Sequence, residues 1–115
     1  MPQYTVKIAA DPKQVADLKR FIEERLEGAG LSVETSAQAL ERDASILTIA
    51  LSAVTSQAIG LMFSFLKDYL SRQLKKHDKP AFAIQIGNTH LSIKEEKDLA
   101  ELDEVEFSQT DDVAD

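Results

Sequence analysis

The chain has 115 residues, 43% of them hydrophobic, no cysteine and a net charge of −7. That length makes one domain with room for a core, the apolar content speaks against disorder, and the missing thiols exclude a disulfide framework, a zinc–thiolate site and a cysteine nucleophile. Residues 1–93 carry 11 basic and 10 acidic side chains and residues 94–115 carry 2 and 10, so the body has no positive field with which to bind nucleic acid.

Residues 1–10 (MPQYTVKIAA) lack the apolar run of a signal peptide and read as a strand. Tyr4, Val6 and Ile8 alternate with Thr5, Lys7 and Ala9, the period of a strand with one buried face. Asp11 is a good N-cap and Pro12 suits the first helical position. The helix that follows reaches about Glu27, with Val15, Leu18, Ile22 and Leu26 in a stripe widened by Phe21. Gly28-Ala29-Gly30 ends it, with glycine free to take a left-handed cap. Residues 31–35 alternate again, so a strand–helix–strand unit opens the chain. Such a unit crosses over right-handedly and places its strands parallel. Residues 36–43 read as a polar connector.

Residues 44–66 hold no charged side chain over 23 positions. At ~1.5 Å per residue they are long enough to span a bilayer core as one helix. Gln57, the serines and threonines and Gly60 make the stretch only moderately apolar, and an unpaired amide in hydrocarbon is costly. The favoured reading is therefore a buried or oligomer-facing helix. A helix over residues 45–76 measures ~48 Å, too long for a globule of this size. A break is expected between residues 53 and 60; a competing reading makes 46–51 a buried strand. Leu61, Phe65, Leu66, Tyr69, Leu70 and Leu74 form the apolar stripe of the second half, and its basic end suits the helix dipole.

Residues 81–94 (AFAIQIGNTHLSIK) read as a hairpin around Gly87-Asn88. Beyond Lys94 the chain is acidic, with a short helix on Leu99 and Leu102 and a disordered end over the last eight residues. A truncation after Lys97 is expected to leave the fold intact.

No pattern of catalytic chemistry emerges. His77 and His90 lack a second ligand at metal spacing, the nine serines include no G-x-S-x-G elbow, and there is no phosphate-binding glycine motif. Glu23 and Glu24 diverge by ~100° on a helix and form a solvated face. The expectation is no enzyme, no cofactor and no metal.

An alternating strand, an amphipathic helix ending in glycine, a short strand, a polar connector, an uncharged stretch running into FSFLKDYLSRQLKK and the hairpin AFAIQIGNTHLSI follow in that order. This order resembles the effector-associated constant component 1 family of bacterial conflict systems, over roughly residues 3–98. That family has a glycine-rich break in the helical stretch where this chain has Gly60 alone. Its turn is Gly-Pro-Asp-Gly-like where this chain has Gly87-Asn88-Thr89. The resemblance implies a small non-enzymatic component that acts through protein contacts beside protease, caspase-like or nucleotide-switch effectors.

The expected architecture is α/β, borderline α+β. It has two layers, with a mixed four-stranded sheet, two main helical elements on one face and the order β-α-β-α-β-β. Residues 1–97 form the domain and 98–115 a largely disordered acidic tail. The expected function is a cytoplasmic adaptor that binds a protein partner and forms a homo-oligomer. A second reading inserts residues 44–66 in a membrane, and a third makes the tail an acidic inhibitor of a nucleic-acid enzyme. Residues 46–66 hold more apolar groups than one helix stripe needs, so Phe63, Met62, Ile59 and Leu51 are the expected contacts for self-association.

Overall fold

The computed structural model describes residues 4–41, 44–52, 55–76 and 81–111. Strand β1 (Tyr4–Ala10) leads into helix α1 (Pro12–Gly28), then strands β2 (Val33–Glu41) and β3 (Ala44–Leu51), helix α2 (Ser56–Leu74), the hairpin β4 (Phe82–Ile86) and β5 (Thr89–Ile93), and helix α3 (Leu99–Asp111). The chain is mixed α/β, as expected, but the sheet has five strands in the order β2-β3-β1-β4-β5. Every neighbouring pair is antiparallel, so the expectation of a mixed four-stranded sheet is corrected. β1 and β2 do run in the same direction, but β3 lies between them. This is the split βαβ arrangement of ferredoxin-like folds, lengthened at one edge by β5.

The local signals account for most elements. Asp11 caps α1 by accepting the Lys13 N–H at 2.9 Å, and Pro12 follows it. Gly30 stands at φ 79°, and the N–H groups of Gly30 and Leu31 donate to the carbonyls of Glu27 and Leu26. That pair of bonds is a Schellman cap, and it needs the left-handed residue that glycine supplies. Thr55 caps α2 by accepting the Ala58 N–H at 3.1 Å. Gly87 takes φ 59° in the hairpin turn.

The uncharged stretch divides. Its first part is β3 and its second is α2, so the strand reading of 46–51 is the one that holds. The division falls at 52–55, at the N-terminal end of the expected window, and Gly60 lies inside the helix; residues 53 and 54 are outside the described residues. Among the described residues no helix is long and apolar enough to cross a membrane. Residues 36–41, expected as a connector, continue β2 with a bulge between Ala39 and Glu41. Residues 42, 43 and the loop with His77 lie outside the described residues.

All three helices cover one face of the sheet. Val6, Ile8, Leu47, Ile49, Leu51, Phe82, Ile84 and Ile93 point into that layer and meet Val15, Leu18, Ile22 and Leu26 of α1 and Ile59, Met62, Phe63 and Leu66 of α2. Burying each such side chain contributes about 1.5–3 kcal/mol. The acidic segment, expected to be largely disordered apart from a short helix on Leu99 and Leu102, carries that helix as α3, longer than expected, and its Leu102 is fully buried. The truncation after Lys97 therefore removes a core side chain. Of the last eight residues, 112–115 lie outside the described residues. α3 lies beside α2, where Lys67 binds Asp103 at 2.6 Å. α2 thus has the sheet beneath it and a helix on each flank, which uses far more of its circumference than one stripe.

Candidate interaction surfaces

The four residues expected to carry self-association are core. Phe63, Met62 and Ile59 have no exposed surface, and Leu51 has 1%. Phe63 packs inward, with its ring centroid 6.5 Å from that of Tyr4. The apolar excess that pointed to a second copy is absorbed by β3 and α3 within the chain.

What the fold leaves open is the other face of the sheet. Residues directly opposite in antiparallel strands share a face. Thr5, Lys7 and Ala9 on β1 pair with Ala50, Thr48 and Ile46 on β3. Lys7 and Ala9 also pair with Gln85 and Ala83 on β4, and Gln85 pairs with His90. No helix among the described residues covers these side chains. The centre of the face is therefore built of small or apolar side chains, Ala9, Ile46, Thr48, Ala83 and the buried Ala50, and its β2 side is polar, with Glu34, Ser36 and Gln38. A shallow groove of about 120 Å³ runs between Lys7, Ile46, Ala83 and His90. Lys7 has no acidic partner among the described residues. No cluster of three His, Asp or Glu side chains able to hold a metal ion occurs among the described residues.

The second open feature is the β2 edge. The Ser52 N–H donates to the Ser32 carbonyl at 3.2 Å. In an antiparallel pair hydrogen-bonded positions alternate, so Glu34, Ser36 and Gln38 turn their backbone groups to β3. Val33, Thr35, Ala37 and Ala39 turn theirs outward along the free edge. Above this edge α1 is tied down at one point. Glu23 accepts from Lys19 at 2.7 Å and from the Thr35 hydroxyl. These bonds, Lys19 first, hold the Glu23 carboxyl below its ordinary range. Further along β2 the side chains shrink to Ala37 and Ala39. A groove of about 400 Å³ opens there between β2 and the Ala16, Lys19 and Arg20 flank of α1.

Neither surface was among the residues singled out by sequence. The outer face was visible only as the unremarkable half of each strand alternation, Thr5-Lys7-Ala9 and Ile46-Thr48-Ala50. The first part of the edge, Val33 to Thr35, lies in the strand expected over 31–35, and the rest was hidden in a segment without large apolar residues, although Ser36-Ala37-Gln38-Ala39 does alternate. Compared with protein-family models, with curated proteins and with solved structures, the chain matches none of them.

Proposed function

We propose that this chain is a small non-enzymatic interaction module whose uncovered sheet face docks a partner protein. The observation that carries this reading is the composition of that face: four accessible small or apolar side chains, Ala9, Ile46, Thr48 and Ala83, around the unpaired Lys7. A flat face of this kind suits a partner surface that is itself flat and weakly apolar, with a carboxylate placed to meet Lys7. Desolvating that pair inside a contact ranks partners by charge more strongly than by area. The sequence resemblance suggests a bacterial conflict system as the context, with an effector as the partner.

The test is affinity purification from the native host with the wild-type chain and with Ala83→Arg and Lys7→Glu. Both positions are exposed, so these variants are expected to fold, which circular dichroism checks. A protein enriched by the wild type and lost with both variants supports docking at this face. The same protein recovered equally with all three chains refutes it, and no enrichment by the wild type refutes the interaction module.

A further inference from the structure

The β2 edge presents a self-complementary template, and we propose that it pairs with the β2 edge of a second copy, antiparallel about a two-fold axis at Ser36. The regular part of β2 runs over residues 33–39, up to the bulge between Ala39 and Glu41, and its midpoint is Ser36. The outward-facing backbone groups belong to Val33, Thr35, Ala37 and Ala39. A two-fold at Ser36 sets Thr35 opposite Ala37 of the second copy, and Val33 opposite its Ala39. Both are pairs of outward-facing residues, so their N–H and C=O groups meet as an antiparallel ladder requires.

Side-chain sizes fit the same register. Val33 and Thr35 are half-buried against their own core, whereas Ala37 and Ala39 are exposed beside the 400 Å³ groove. The rotation lays the large half of one strand along the small half of the other. Val33 and Thr35 of each copy then border the groove above the other copy's alanines. Charge agrees as well. Glu34 is the only charged residue in 33–39, and this register sets it opposite Gln38 rather than opposite itself. Like charges directly opposed would destabilise the pair.

Short of the bulge at its far end, the edge lacks two of the usual guards against such pairing. Residues 33–39 contain no lysine and no proline, the residues that blunt most free edges. At the opposite edge β5 is only five residues long, and the chain turns away at once, with the Asp98 carboxylate accepting the N–H groups of Lys94 and Glu95 at 2.9 and 3.0 Å. β2 is the longest strand, at nine residues. The assembly is one continuous ten-stranded sheet with all helices on one side. It leaves the centre of the outer face free and does not depend on docking there.

The register makes a covalent test available. Ser36 meets Ser36 of the second copy as a non-hydrogen-bonded pair, with an expected Cα separation of about 4.5 Å, within reach of a disulfide. The chain has no cysteine of its own. Under mild oxidant, Ser36→Cys should give a covalent dimer at low protein concentration. Glu34→Cys, whose two copies lie several residues apart in this register, should stay monomeric. Light scattering of the unmodified chain should show dimer mass rising with concentration. Ala37→Pro, which removes only an outward N–H, should abolish the dimer while leaving the circular dichroism spectrum unchanged. A wild type that is monomeric at all concentrations overturns the proposal. So do equal crosslinking of both cysteine variants and a dimer indifferent to a folded Ala37→Pro.

Discussion

Replacing Leu102 by alanine measures how firmly α3 belongs to the fold. Leu102 has no exposed surface, and it is the only fully buried described side chain of a 13-residue helix. Leu→Ala substitutions in cores cost about 2–5 kcal/mol, with the cost set by how far the surroundings collapse. α3 is the outermost element, packed against α2 and open to water on its other side, so it can settle into part of the cavity. The expected loss is therefore at the lower end, about 2–3 kcal/mol. An unfolding entropy of about 2.1 cal/mol/K per residue gives about 240 cal/mol/K for 115 residues. Each kcal/mol then lowers Tm by about 4 °C, and Leu102→Ala by about 8–12 °C. The assay is thermal and urea unfolding followed at 222 nm. Asp103→Asn is the control, because it breaks the Lys67 ion pair, whose carboxylate is 62% exposed, and exposed pairs contribute under about 1 kcal/mol. A Leu102→Ala shift of less than about 2 °C, or one no larger than that of Asp103→Asn, would refute the packing of α3. Truncation after Lys97 should lower Tm by at least as much as the point variant, against the few degrees expected for a loose tail.

Phe63→Asp is expected to abolish cooperative unfolding, since it strands a carboxylate among Tyr4 and the core of α2, and Phe63→Ala to cost about 3–5 kcal/mol; a folded Phe63→Asp with wild-type Tm would sink the core assignment. At alkaline pH the two tyrosines set the trend. Burial pushes both hydroxyls well above the ordinary value near 10, and for Tyr69 the hydrogen bond to Asp17 at 3.0 Å adds to it. The unfolded chain releases these protons near pH 10 while the folded chain keeps them, so the tyrosines' contribution to stability is constant below that pH and falls above it. Urea midpoints between pH 9 and 11.5 should decline, less steeply for Tyr69→Phe, and a flat or rising midpoint would contradict the burial.

Much of this protein was legible in local chemistry. Period-two alternation marked β1 and the hairpin of β4 and β5, because each strand shows one face to a core and the other to water. The stripe Val15, Leu18, Ile22, Leu26 and the caps Asp11-Pro12 and Gly30 delimited α1, because capping is satisfied by residues within one turn of the helix end. Three decisions lay beyond local reach. Whether 46–51 was strand or helix depended on a place between β1 and β2, where Leu47, Ile49 and Leu51 face the helices and Ile46 and Ala50 lie on the open side, beside Ala9 and Thr5 of β1 and Gln38 and Glu34 of β2. A strand apolar on both faces loses its period. Whether 36–41 was loop or strand depended on the ladder supplied by β3, since alanine, serine and glutamine have little strand preference of their own. Whether Phe63 faced a second copy or the core depended on β1, whose Tyr4 ring it meets, and on α3 lying beside α2, both distant from it in the chain. Local sequence determines where apolar groups recur; only the assembled sheet and helices decide which of them are covered, and therefore which surfaces are left to meet another protein.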